Sequence, residues 1–392
     1  MDNLTTKIYN RKELLIAENI KENNFDILRF LLATIVIYSH CYVLCYAKVI
    51  DTEPGMIFTR NQMDLGGIAV DFFFVTSGFL IFRSFEYSST FASYLKKRIR
   101  RICPAFFIAF ILSVLFFGML GATDRHHIIG SWTKYFLNLQ YKKQTIINIL
   151  TLRKPPLQNT FTLNPLPGMM NEPLWSIQYE FVCYLIVPLA AMASVFKKKW
   201  IALFLFLLSY IVFFLQLKYP EFSLGLYTSI FYRYPINFFS EILDSYILPR
   251  LFVYFFSGAC FYLFRKQILR KKTLVVLAAI AIVVSCIGVP FINLTLPIAG
   301  SYLFFYITYH PNICFTNFAK NGDFSYGMYL YAWPIQQLFM YFLGRHLDPY
   351  RLFFCVFPAV YFTAFLSWHC LEKYFLKPRA THKYPEVVLT NP

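Results

Sequence analysis

The chain has 392 residues, of which 58% are hydrophobic, with a mean hydropathy of +0.50 and a formal net charge of +17. Its apolar runs reach the roughly 18 residues that separate a bilayer-spanning helix from a buried helix of a soluble protein, so a soluble enzyme is excluded. The runs at 202–217 and 274–289 show no alternation of apolar and polar residues, which excludes a membrane β-barrel. We therefore expect an all-α, polytopic membrane helical bundle.

The hydrophobic pattern predicts about ten transmembrane helices. Each is an apolar run that ends at polar or basic residues. In chain order, the predicted spans are 27–47, 66–86, 103–121, 174–194, 200–217, 248–264, 274–290, 293–309, 325–343 and 351–371.

Basic residues cluster in the short connections after the second, fourth and sixth spans, at 96–101, 197–199 and 265–272. Cytoplasmic loops are enriched in Lys and Arg, so these connections are expected to face the cytoplasm, and both termini then lie there too. This placement explains the net positive charge better than nucleic-acid binding, because no nucleic-acid module interrupts the sequence.

The predicted domain organisation is a retained cytoplasmic N-terminal arm at 1–24, one integral membrane domain at 25–376 and a short cytoplasmic tail at 377–392. The segment 122–173 becomes an extracytoplasmic loop, although it contains six basic residues; long loops weigh less in the orientation rule. Its prolines predict an ordered, irregular cap, and 128–152 could include an amphipathic helix lying on the surface.

Cysteine and histidine spacing gives no sign of a metal site or a disulfide framework. The nine cysteines are scattered, most of them inside apolar runs, where small buried residues are the ordinary interpretation. His126 and His127 are adjacent in a polar loop, and adjacent side chains diverge, so a loop surface is favoured over metal ligation.

The first span contains two ionisable residues, Arg29 and His40. Eleven helical steps of about 100° bring His40 to within about 20° of Arg29, about 16 Å further along the helix axis. An ionisable side chain in lipid costs on the order of 3 kcal/mol or more, so both are expected to face a polar interior.

Three carboxylates also fall within predicted spans or at the end of one: Asp71, Glu180 and, at the end of the last span, Glu372. Each is expected to face inward. Asp71 and Glu372 lie near span ends, where a charge costs little, whereas Glu180 lies deeper.

Several motifs in order make the chain resemble the acyltransferase-3 family of integral membrane acyltransferases. They are the Arg29 and His40 spacing, GGIAVDFFFVTSGFL at 66–80, RIRR at 98–101 before ICPA, LWSI at 174–177 with Glu180, and SYGMYLYAWP at 325–334. The last motif departs from the family, which usually has His where this chain has Ala332.

The resemblance covers nearly the whole chain and implies acyl transfer, commonly of acetyl groups, from cytoplasmic acyl-CoA to hydroxyls of envelope polysaccharides or their lipid-linked precursors. It implies acyl-CoA, with acetyl-CoA favoured, as co-substrate without a permanently bound cofactor, and a bacterial cytoplasmic membrane as the location. Many members carry an additional extracytoplasmic domain, and this chain resembles the members without one. Acyl group, acceptor sugar and oligomeric state, including a homo-oligomer, stay open.

His40 is the candidate general base, because neutral imidazole, with an unperturbed pKa of about 6.5, can accept the proton of an attacking alcohol. The alternative is a hydrogen-bonded structural histidine. Arg98 and Arg101, three residues apart on one helical face, are candidates to bind CoA phosphates with help from Arg29. The alternative is that the Arg98 and Arg101 charges only set topology.

Glu180 could fix the tautomer of His40, bind acceptor hydroxyls or pack against an arginine, and the sequence does not choose. Asp71, Trp175 and Ser176 are expected to contact the acceptor, although Trp is common at any membrane interface. A transporter or flippase of lipid-linked glycans is the alternative function; such folds often show inverted repeats and broken helices, for which only Pro334 and Pro290 are candidates here.

Overall fold

The computed structural model describes residues 23–48, 51–122, 128–137, 142–157, 159–219, 247–268, 270–287, 291–310, 312, 315, 317–344 and 347–376. Within these ranges every regular element is helical, as the sequence predicted. The predictions for the N-terminal arm, the C-terminal tail, His126, His127 and Pro290 fall outside the described residues.

All ten predicted spans coincide with helices, which we number in chain order. They are α1 Phe25–Tyr46, α2 Leu65–Glu86, α3 Phe91–Gly121, α4 Trp175–Met192, α5 Trp200–Lys218, α6 Ile247–Leu263, α7 Lys272–Ile287, α8 Ile292–Thr308, α9 Ser325–Leu343 and α10 Pro349–Phe375. Six of them, α1 to α5 and α10, are long and apolar enough to cross a membrane, and α6, α7 and α8 are shorter apolar helices. The number of spans and the side on which each end lies stay predictions.

α3 begins at Phe91 and not at residue 103, so the sequence placed its start too late. The apolar pattern missed its first turns because they are rich in lysine and arginine, which are good helix formers but not hydrophobic. Thr90 caps the helix, its Oγ1 accepting a hydrogen bond from Ser93 N at 3.1 Å. Arg98 and Arg101 therefore lie on one helix, as their expected shared helical face requires, although the hydropathy pattern placed them in the connection before the span.

The loop 122–173 contains the predicted helical segment as two helices, Ile128–Leu137 and Lys142–Leu150. Its later part is irregular but ordered by hydrogen bonds to α9. Asn164 Nδ2 donates to Gln337 Oε1 at 2.7 Å, and Trp333 Nε1 donates to Met169 O at 2.9 Å. These hydrogen bonds join the irregular part of the loop to α9. Its position on the extracytoplasmic side stays a prediction.

α9 continues through Pro334, so this proline does not break the helix.

Eight cysteines of the described residues are free; three are buried, three are half-buried and two are exposed. The expectation of buried apolar cysteines therefore holds for only part of the set.

α2 and α6 cross in backbone contact at two glycines, Gly78 and Gly258. A Cβ added at Gly78 would lie 1.9 Å from Phe255 O, and one at Gly258 would lie 2.0 Å from Val75 O. Each helix backbone thus occupies the space that a side chain on the other would need. Small residues allow such backbone contact between membrane helices, where packing replaces the hydrophobic effect as the driving force.

Replacing Gly258 by Ala is expected to destabilise the bundle by about 1–3 kcal/mol, because the obstructing atom is backbone and the two helices must separate. Thermal unfolding of purified protein in detergent measures the loss. Gly300→Ala is the matched control, since the nearest atoms to its new methyl group are ends of Leu296 and Phe72 side chains, which can move. Equal stability of Gly258→Ala and the native protein would contradict the tight crossing.

Candidate active site

A cavity of about 130 Å³ lies between α1, α2, α3, α4 and the start of α9. Its polar lining includes three arginines, one carboxylate and several hydroxyl groups. These include Arg29, Arg98, Arg101, Glu180, Ser176 and Tyr329. The structure therefore brings together five residues that the sequence selected, from three separate helices, and adds Tyr329 to them.

One carboxylate links two of the arginines. Asp323, in the connection before α9, lies with Oδ2 2.6 Å from Arg101 Nη2 and 3.3 Å from Arg29 Nη2. Burial alone would raise the pKa of Asp323, but the two guanidinium groups lower it well below its ordinary value. Asp323 therefore stays ionised throughout the physiological pH range and joins α1 to α3.

Asp323 was not selected from the sequence. The signal was weak: an acidic residue just before the SY motif at 325–326, at the start of an apolar helix. Nothing in the spacing shows that α1 and α3 converge on it. A second carboxylate, Asp26, also pairs with Arg29, one turn away on α1.

Arg98 has a different set of partners. Its Nη2 donates to Ser84 Oγ at 3.1 Å, and its guanidinium carbon lies 5.7 Å from the centre of the Tyr184 ring. The Nε atoms of Arg98 and Arg29 are buried, and neither has a hydrogen-bond partner among the described residues. Donor groups for an anion are thus left free at this end of the cavity.

Glu180 lies in the cavity wall on α4. Its Oε1 accepts hydrogen bonds from Tyr184 OH at 2.7 Å and from Ser77 Oγ at 3.4 Å. No hydrogen bond joins Glu180 to His40 in the described structure, so the geometry gives no support to Glu180 as the tautomer-fixing partner. Its second oxygen, Oε2, accepts no hydrogen bond from the described residues and can accept one from a substrate.

His40 lies beyond the residues that line the cavity. Its ring meets the Trp333 indole edge to face, with centroids 5.1 Å apart. Trp333 follows the cavity-lining Tyr329 by one helical turn on α9. His40 is half-buried, and its Nδ1 is buried with no partner among the described residues. His40 and Arg29 are therefore on one helix, α1, as predicted, but only Arg29 lines the cavity.

Ser176 and Trp175 begin α4 but have different surroundings. Ser176 lines the cavity and its Oγ lies 2.6 Å from Tyr329 OH, which in turn donates to Pro173 O at 2.8 Å. Trp175 is half-buried, packs against Tyr179 and is not among the lining residues. Of the two, Ser176 has the better position to meet a substrate.

Asp71 lies outside the cavity lining, in a buried ion pair with Arg250 of α6. Arg250 Nε lies 3.0 and 3.2 Å from the two carboxylate oxygens, and Nη2 lies 2.9 Å from Oδ2. The Asp71 side chain is fully buried, whereas that of Arg250 is 34% exposed. Arg250 was missed because the sequence gave no reason to pair a residue at the start of α6 with one in α2.

Glu372 faces inward, as expected. It is buried at the end of α10, within the π-helical turn Trp368–Glu372, and Ser367 Oγ donates to its Oε1 at 2.8 Å.

Comparison with known proteins agrees with the motifs. A family model described as an acyltransferase domain matches residues 22–369. Over 357 residues the chain is 27% identical to a protein of Shigella phage Sf6 named O-acetyl transferase, covering 91% of this chain and 96% of that relative. Over 172 residues it is 29% identical to Nodulation protein 10 of Rhizobium leguminosarum bv. viciae, covering 43% of each. No solved structure matches the chain. Since the family model matches most of its length, the chain belongs to the acyltransferase-3 family and is a membrane acyltransferase.

Proposed function

We propose that the protein is an O-acetyltransferase that moves an acetyl group from acetyl-CoA to a hydroxyl of an envelope polysaccharide or of its lipid-linked precursor. The observation that supports this best is the cavity in which three arginines from two helices meet Glu180 and several hydroxyl groups. The relative named O-acetyl transferase, matched over 96% of its length, supports the acetyl group.

The donor site consists of Arg29, Arg98 and Arg101. Guanidinium groups bind phosphate oxygens through charge-assisted hydrogen bonds, and CoA is rich in phosphate. The cavity volume of about 130 Å³ is small beside the roughly 300–1,000 Å³ of sites that enclose drug-sized ligands. The cavity therefore admits the acyl-bearing arm of the donor, while the phosphates stay with the arginines at its mouth.

We assign the arginine end to the cytoplasm and the Trp333 end to the opposite side, in a bacterial cytoplasmic membrane. The clusters of basic residues in the predicted inner connections support this orientation. Acetyl-CoA is made in the cytoplasm, so its phosphates would meet the arginines first. The acceptor would approach from the Trp333 end, where Asp71 positions the partly exposed Arg250.

The reaction is acyl transfer with His40 as the base. The acceptor oxygen attacks the thioester carbonyl carbon while its proton passes to His40. The carbon–sulfur bond then breaks, and the leaving CoA thiolate takes up the proton from the His40 imidazolium, which restores the neutral imidazole. The products are the acetyl ester and CoA–SH. The acyl-bearing arm is placed in the cavity, whose lining ends at Tyr329, and the base His40 lies beyond that end. The acceptor hydroxyl and the acyl group therefore meet between Tyr329 and His40.

His40→Ala is expected to lower transfer about 10²–10⁴-fold, the usual contribution of a general base, without changing the affinity for CoA. Transfer of radiolabelled acetyl groups to envelope glycan in isolated membranes measures the effect. His369→Ala is the matched control, because His369 lies at the end of α10, outside the cavity lining, and among the described residues its ring hydrogen-bonds to Phe365 O of its own helix. Undiminished transfer by His40→Ala would reject the base assignment.

Exchange of both Arg98 and Arg101 for Ala is expected to weaken CoA binding by about tenfold or more, since charge-assisted hydrogen bonds are worth about 1.5–3 kcal/mol each. Calorimetric titration of the detergent-solubilised protein with CoA measures the affinity. Arg100→Ala, on the same helix and outside the cavity lining, is the control for loss of one positive charge. Unchanged affinity in the double variant would show that Arg98 and Arg101 do not bind CoA and only set the orientation of the chain in the membrane.

Glu180→Gln is expected to raise the KM for the acceptor by about tenfold and to change kcat less, because Oε2 is proposed to bind an acceptor hydroxyl. Initial rates at varied acceptor concentration separate the two constants. A loss confined to kcat, with the pH dependence of the rate abolished, would instead make Glu180 the base.

A further inference from the structure

Asp323 uses its two oxygens for different purposes. Oδ1 accepts hydrogen bonds from Ser325 Oγ at 2.5 Å and from Ser325 N at 3.2 Å, which fix the carboxylate to the start of α9. Oδ2 faces Arg101 Nη2 at 2.6 Å and Arg29 Nη2 at 3.3 Å. One oxygen is thus anchored locally, and the other contacts both arginines, which come from different helices.

The arginine cluster is only partly satisfied by this carboxylate. Each guanidinium has five N–H donors, and Asp323 engages one nitrogen of Arg101 and one of Arg29. The buried Nε atoms of Arg29 and Arg98 have no partner among the described residues. A buried donor without a partner is unfavourable, so the cluster favours an anion with more acceptor oxygens than one carboxylate has.

A tetrahedral phosphate meets that requirement, and it would approach the same N–H groups that Asp323 contacts. Two anions close to one pair of cations repel each other. The Asp323 side chain is only 11% exposed, so water screens it less than a surface charge. The carboxylate therefore weakens the attraction of Arg29 and Arg101 for a second anion.

We propose that Asp323 is the resident counter-anion of the donor site: its single charge partly neutralises Arg29 and Arg101 in the empty enzyme and competes with the donor phosphate for them. This inference rests on the proposed use of acyl-CoA as donor. Asp323 is then a positioning residue that keeps two repelling arginines together between turnovers, and that favours release of CoA after transfer.

The test is a comparison of Asp323→Asn with the native protein by titration with CoA and with pantetheine, which has the arm without phosphates. Asn keeps the size and removes the charge. We expect the Kd for CoA to fall about threefold or more, because one nearby charge has roughly this effect even at the full dielectric of water, and the Kd for pantetheine to stay unchanged. A merely structural aspartate would lower thermal stability and leave CoA affinity equal or weaker.

Asp26→Asn is the matched control. Asp26 also pairs with Arg29, but its side chain is 35% exposed and the structure gives it no ion pair with Arg101. We expect a smaller gain in CoA affinity from Asp26→Asn than from Asp323→Asn. Equal gains would show that the effect is general charge and would overturn the specific role of Asp323.

Hydrogen–deuterium exchange of the native enzyme provides a test that needs no variant. CoA is expected to increase exchange in residues 322–326, because the carboxylate loses contacts when phosphate replaces it. Increased protection there, or CoA binding without a gain in Asp323→Asn, overturns this inference and leaves the donor assignment intact. Absence of CoA binding to both proteins overturns the donor assignment and this inference with it.

Discussion

The cost of placing charge inside an apolar bundle is the constraint on which this structure depends. Arg29 and Arg101 repel each other, and both would be unfavourable in lipid without a counter-charge. Asp323, in the connection before α9, contacts both guanidinium groups. Its negative charge reduces their mutual repulsion and supplies the counter-charge. Because one oxygen contacts both guanidinium groups, the positions of α1, α3 and α9 are coupled, and the cavity they line has a defined polar mouth.

A second charged contact lies between α2 and α6, where Arg250 binds both oxygens of Asp71. The same helix pair is joined by the Gly78 and Gly258 crossing, in which side chains are absent and the backbones touch. Breaking a buried pair by removing one partner leaves an uncompensated charge and costs about 3–5 kcal/mol. Packing and charge therefore restrict α2 and α6 to one relative position, which in turn fixes the α2 wall of the cavity.

The separation of His40 from the cavity lining bears on how the proposed reaction is organised. The indole of Trp333 lies against His40, and its N–H is bound to Met169 O of the cap. A loop outside the bundle thus orients the ring that contacts the proposed base. If the donor arm enters from the arginines and the acceptor from the cap, Tyr329 and Trp333 mark where the two substrates meet.

Length and apolar pattern determined the ten helices to within a few residues in most cases, because desolvation in lipid forces an apolar run of this length to be helical. The start of α3 was misplaced, since its first turns are basic and hydropathy does not detect them. Ionisable residues in spans were likewise recognisable as inward-facing, because lipid excludes them.

Only the tertiary structure decided which of these groups meet. Periodicity put Arg29 and His40 on one stripe of α1, but a stripe does not say where a cavity ends, and this cavity includes Arg29 and stops short of His40. Asp323 and Arg250 could not be found from local sequence, because each is defined by a partner on a distant helix. Whether a side chain in an apolar span avoids lipid depends on its own chemistry, which the sequence shows. Ion pairing depends on how helices far apart in the chain pack together, which the sequence does not show.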